Sequence, residues 1–183
     1  MLKKFKSIAN NFFHLDNDQT TYASRQVEVA EGIVKLRELV PADIKELLSV
    51  ERNIYQGELP WTKSAFLSEL KSPILHLYLG ITQNDRLLGY AGCRIIGTDA
   101  HVTNIGILSE QQGKGLGTIL IDELIHFAQL NECETMSLEV RVSNLDAQRL
   151  YRKHGFEAKT VKKAYYSENQ EDALDMVKLL EKE

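Results

Sequence analysis

Gln112-Gly113-Lys114-Gly115-Leu116-Gly117 is the stretch on which the reading of this chain turns. It lies between an apolar, strand-like segment, Val102 to Leu108, and an amphipathic run, Leu116 to Leu130. Its glycines let the backbone come close to a ligand. Their N–H groups, together with the positive end of the following helix, make a site for a phosphate or diphosphate. A bound small-molecule anion is the expectation.

Outward from this loop the pattern alternates strands and helices. Ile33 to Leu39 reads as a first strand, and Pro41-Ala42-Asp43 opens a helix with Ile44, Leu47, Leu48, Val50 and Ile54 at helical spacing. A second helix follows Pro60-Trp61, with Thr62 as its N-cap. Ile74 to Ile81 and Leu87 to Ile96 form a hairpin about Gln83-Asn84-Asp85-Arg86. The next strand, Ala100 to Leu108, breaks phase: Val102 is apolar at an even position, Ile105 and Ile107 at odd ones. A one-residue slip in a two-residue period predicts a β-bulge, placed at 104–106. After the loop helix, Thr135 to Val140 alternates as a strand and Asn144 caps a helix that Gly155-Phe156 ends. Two strands, about 156–165 and 172–180, close the sheet as a hairpin.

The chain has 183 residues, enough for one domain with a real core. A net charge of −4 argues against a nucleic-acid partner. No stretch approaches the roughly 20 apolar residues that span a bilayer, and no apolar segment of secretory type follows Lys3, Lys4 and Lys6. A cytoplasmic protein, monomeric or weakly dimeric, is expected. Cys93 and Cys133 read as free thiols. The five histidines show no ligand spacing, so no metal is expected. Residues 1–30 form an extension; within it, residues 1–15 are a basic amphipathic run that lies on a membrane surface or docks on a partner, or else is a mobile extension or a helix folded back on its own domain. The folded domain is expected over 31–181.

Three nucleotide-loop patterns compete. A Walker loop fails because Gly115 stands where a hydroxyl residue is required. A Rossmann fingerprint has the wrong glycine spacing, although Glu139 lies near the separation that fold needs for its acidic residue. The third pattern, Q-x-x-G-x-G, is filled by Gln112, Gly115 and Gly117. It resembles the diphosphate loop of the GCN5-related N-acetyltransferases. The flanking Asn104-Ile105-Gly106-Ile107, Leu138-Glu139-Val140-Arg141-Val142-Ser143-Asn144, Leu150-Tyr151-Arg152-Lys153-His154-Gly155-Phe156, Tyr165-Tyr166 and Glu171-Asp172-Ala173 are similar, in order and spacing, to the bacterial members that acetylate the N-terminal alanine of a small-subunit ribosomal protein. The similarity spans about residues 32–180; Gly113 departs from it, standing where arginine is common.

The resemblance implies an α/β fold with a mixed, splayed sheet of about seven strands and about four helices, with acetyl-CoA as cofactor. It places the cofactor on Ile105, Gly106, Ile107, Gln112, Gly113, Lys114, Gly115, Leu116, Gly117, Thr118 and Asn144, and the acceptor on Trp61, Tyr165 and Tyr166. The chemistry supports the same residues. Thioester aminolysis needs a neutral amine, a polarised carbonyl and a protonated leaving thiolate. Backbone donors at Ile105 and Ile107 serve the carbonyl, Glu139 accepts the amine proton directly or through water, and the Tyr151 phenol returns one to sulfur. The plainer alternatives are a surface glutamate, packed aromatics at 61, 151, 165 and 166, and an N-cap at Asn144. Deprotonating an α-amine, with pKa about 2.5 below that of lysine, costs about 3.4 kcal/mol less, which suits a single carboxylate base. Lysine side chains, small amines, and a module that binds acyl-CoA without turnover remain the alternatives.

Overall fold

The computed structural model describes residues 13–14 and 21–181. Eight strands form one sheet: β1 Arg25–Val29, β2 Gly32–Glu38, β3 His76–Gln83, β4 Arg86–Ile96, β5 Asp99–Ile107, β6 Thr135–Arg141, β7 Glu157–Tyr166 and β8 Glu171–Leu179. Their order is β1-β2-β3-β4-β5-β6-β8-β7. Only β5 and β6 pair in parallel, and the connection between them carries α3, Leu116–Leu130, as a parallel pair requires. The other helices are α1, Ile44–Ile54, α2, Lys63–Leu70, and α4, Leu145–Lys153. No described helix is long and apolar enough to cross a membrane.

The middle of the sheet is buried almost without interruption along β3 and β4, which strands achieve only when both faces are covered. Helices α1 and α3 supply the cover, both packing on β4 and β5. Asn84 and Asp85, both at positive φ, make the two-residue hairpin between β3 and β4. Thr62 Oγ1 accepts from Ala65 N at 3.3 Å and starts α2 where the sequence predicts. Cys93 and Cys133 are free and buried.

Two expectations need correction. The sheet takes in Arg25–Val29, residues assigned by sequence to the extension, and with them its strands number eight, in keeping with the about seven expected. Tyr22 is also buried, its hydroxyl donating to Glu123 of α3 at 2.7 Å. The amphipathic run at 1–15 lies outside the described residues except for Phe13–His14, which pair with Thr21–Tyr22 as a short antiparallel ladder. The bulge is present but displaced: Gly92 pairs with Asn104 and Cys93 with Val102, so Thr103, just before the predicted window, is the extra residue.

Candidate active site

Strands β5 and β6 pair only from Asp99↔Thr135 to His101↔Ser137 and then part, although β5 runs on to Ile107 and β6 to Arg141. Immediately above this last paired rung sits the bulge at Thr103, which turns β5 away from its neighbour. The register with β4 fixes what β5 shows to the opening. Leu108 N donates to Leu88 O at 2.9 Å, so the residues exchanging hydrogen bonds with β4 are alternate ones, Gly106 and Asn104. The N–H and C=O groups of Ile105 and Ile107 consequently face the split. Gly106 therefore offers no N–H there; it serves packing instead, since a Cβ would lie 2.8 Å from Ile54 Cδ1 and 3.0 Å from Tyr90 Cε1. Asn104 adds an Nδ2 that is buried without a partner among the described residues.

The glycine loop stands at the open end. Gly113 and Gly115 have φ of +75° and +84°, the left-handed region in which a side chain is strained, and a Cβ at either would meet nothing within 4 Å. Gly115 is the N-cap of α3, and no side chain caps that helix. The first-turn N–H groups of Leu116, Gly117 and Thr118 are thus left for a ligand at the positive end of the helix. This arrangement fits a diphosphate. Two side chains of the loop are engaged elsewhere. Gln112 Nε2 donates to Ile107 O at 3.1 Å, fixing the loop to the end of β5. Lys114 Nζ reaches Glu31 Oε2 at 2.8 Å and Gln111 Oε1 at 3.3 Å, tying the loop to the β1–β2 turn. A cavity of about 250 Å³ opens on that side, bounded by Val29, Glu31, Val34, Leu88, Lys114 and Leu116. Neither Glu139 nor Tyr151 lines it, so it is not where chemistry on those two residues would occur.

Glu139 lies on β6, two residues past the last rung, with its side chain 12% exposed. His101 Nε2 is 3.2 Å from Oε2, and Lys162 of β7 donates to Oε1. The hydrogen bond from His101, helped by that from Lys162, outweighs burial and holds the carboxyl down at about 2. Glu139 is an anion throughout the neutral range. Burial, which opposes charge, pushes the Tyr151 phenol well above its ordinary value, with lesser contributions from Tyr166 and Tyr55, so it keeps its proton. Its ring packs against Phe156 at 5.8 Å. The Tyr166 phenol is raised to about 12, again mainly by burial.

The remaining residues named from sequence fall in two groups. Asn144 Oδ1 accepts from Ala147 N at 3.1 Å and is the N-cap of α4. Trp61 packs on Phe66 at 5.4 Å and donates its backbone N–H to the buried Glu51, just ahead of α2. Tyr165 and Tyr166 stack edge to face at 5.2 Å; Glu139 bears on the Tyr165 phenol, and the Arg141 guanidinium lies 3.8 Å over the Tyr166 ring. Sequence reading missed His101, Lys162, Arg141 and Tyr55. Arg141 alone carried a local signal, since residues two apart on a strand share a face with Glu139.

The chain matches the acetyltransferase (GNAT) family over residues 42–156. It is 40% identical, over 73% of its length and 87% of the other's, to a Bacillus subtilis protein named for alanine N-acetylation of ribosomal protein bS18. It is 35% identical to the N-alpha-acetyltransferase RimI of Mycobacterium tuberculosis, over 78% of this chain and 90% of that one. Among solved structures, the ribosomal-protein-S18-alanine N-acetyltransferase of Escherichia coli superposes with a TM-score of 0.73 at 27% identity, covering 82% of this chain and 96% of that one.

Proposed function

The chain belongs to the acetyltransferase (GNAT) family and uses acetyl-CoA, and from that premise we propose that it acetylates the α-amine of a protein N-terminus, the alanine of ribosomal protein bS18, in the cytoplasm. The observation that carries this reading is the ionised Glu139 at the foot of the β5–β6 split, with a buried, protonated Tyr151 on the neighbouring helix. The Bacillus subtilis and Escherichia coli proteins named for that same acceptor support its identity.

In this reading acetyl-CoA supplies the acyl carbon and the leaving sulfur. The N–H groups of 113–118 grip its diphosphate, and those of Ile105 and Ile107 bond the amide-bearing arm and draw charge onto the carbonyl oxygen. Glu139 removes the amine proton, through water where the amine is out of reach, and Tyr151 protonates sulfur. Tyr165 and Tyr166 frame the acceptor beside Glu139, while Trp61 braces the α1–α2 turn. Asn144 holds α4, and hence Tyr151, in place.

The test compares turnover of peptides beginning with a free alanine, serine or methionine against an N-terminally blocked peptide containing lysine, and against polyamines. Turnover confined to free N-termini, fastest with alanine in the bS18 sequence, is expected. Turnover confined to lysine or polyamines would remove the reading, and coenzyme A binding with no turnover at all would make the protein a sensor.

A further inference from the structure

An unbroken line of polar side chains crosses the last paired rungs of β5 and β6. Asp99 Oδ1 accepts from Thr135 Oγ1 at 2.6 Å, and Oδ2 accepts from Ser137 Oγ at 2.5 Å. Ser137 Oγ is 2.9 Å from His101 Nδ1, and His101 Nε2 is 3.2 Å from Glu139 Oε2. The polarity of this line follows from its ends. A carboxylate only accepts, so Ser137 spends its one hydrogen on Asp99 and its oxygen must accept from His101. The imidazole therefore carries a fixed proton on Nδ1, and Nε2 is the nitrogen that faces Glu139. Between Nε2 and the Glu139 oxygen one proton makes a bond, whereas none sets a lone pair against an anion.

We propose that His101 is the proton-holding partner of Glu139: the proton taken from the acceptor amine through Glu139 comes to rest on His101 Nε2. His101 acts through Glu139 and is thus a positioning residue for the base. The inference rests on the reading of Glu139 given above. The ring nitrogen in contact with the carboxylate gives that proton a place to rest, since a carboxylate held as an anion has little basicity of its own. Other charges bear on the contact from every side. Lys162 of β7 and Asp175 of β8 stand behind Glu139, Asp99 acts through Ser137, and Tyr165 flanks the carboxylate. Arg94 lies opposite His101 on β4 but is drawn to Glu69 of α2. The protons balance. Two leave the nitrogen as the N–C bond forms and the C–S bond breaks; one replaces the proton that Tyr151 gives to sulfur, and the other passes through Glu139 to His101 and then to solvent.

The experiment is the pH dependence of kcat/KM for an alanine peptide between about pH 5 and 8, in wild type, His101→Gln and Glu139→Gln. In wild type both the amine and the pair must lose a proton, so log kcat/KM climbs at acid pH with a slope of about two. In His101→Gln the slope drops to about one and kcat falls roughly 100-fold, with coenzyme A affinity unchanged. Wild-type rate in Glu139→Gln would overturn the reading of Glu139 and this inference with it. A slowed Glu139→Gln beside an unaltered slope and rate in His101→Gln would overturn the inference alone. Should His101→Gln fail to fold, the ring nitrogen signals of His101 in the wild-type protein decide: a neutral form protonated on Nδ1 supports the assignment, and one protonated on Nε2 overturns it.

Discussion

Glu139 and Tyr151 differ in what burial does to them, and that difference sets what each can do. Glu139 is largely sheltered but lies against Lys162 and the ring of His101, so it stays charged; Tyr151 is buried with causes that all raise it, so it stays neutral. The sign for stability follows. The carboxyl sits near 2 when folded and near 4.5 when free, so its contribution is complete above about 4.5 and is lost as pH falls toward 2. Denaturant midpoints measured at the two ends of that window should fall further in wild type than in Glu139→Gln. Tyr151→Phe keeps the ring packing against Phe156 and removes only the hydroxyl. It should retain coenzyme A affinity while kcat drops about 100-fold or more, as calorimetry and initial rates would register. Equal rates would take the acid role from Tyr151.

Among the elements, those coded locally were legible in the chain. The N-caps at Thr62 and Asn144, the Asn84-Asp85 hairpin and the glycine loop each follow from a few adjacent residues. The phase break in β5 shows a slip somewhere between Val102 and Ile105, and the expected window of 104–106 begins one residue too late. Thr103 and Asn104 are both polar, and nothing in the pattern chooses between them; the structure chooses Thr103, whose hydroxyl meets that of Tyr78 at 2.7 Å. β1 escaped because Val27 and Val29 alternate with Gln26 and Glu28 too briefly, in polar surroundings, to stand out. Lys162 and His101 were out of reach for another reason. Their meeting on Glu139 depends on β8 inserting between β6 and β7, and on β5 pairing in parallel with β6, neither of which is written in local spacing. The loop makes its own prediction. Gly115→Ala has room for the methyl but must hold φ at +84°, a cost of about 1–2 kcal/mol. Coenzyme A should bind roughly tenfold more weakly to this variant by calorimetry, the conversion of about 1.4 kcal/mol. Unchanged affinity would mean that the loop does not carry the diphosphate.

At the scale of the molecule, the region before Gly32 is coupled to the catalytic half. Tyr22 and Arg25 both reach Glu123 of α3, and Glu31 holds Lys114 of the loop that begins that helix. Tyr22→Phe leaves a buried carboxylate short of one donor, a loss of about 1–3 kcal/mol. The melting temperature should fall by about 2–4 °C per kcal/mol for a chain of this size. A melt indistinguishable from wild type would show that this contact adds nothing to the fold. The central claim concerns the parting of β5 and β6, which supplies unpaired backbone donors, the base and the helix end to one ligand. The most direct measurement is a crystal structure with coenzyme A bound. The account predicts the diphosphate on the N–H groups of 113–118 and the amide-bearing arm along Ile105 and Ile107, its sulfur directed toward Tyr151. Coenzyme A seated instead in the cavity between Glu31 and Lys114, with the split empty, would contradict it.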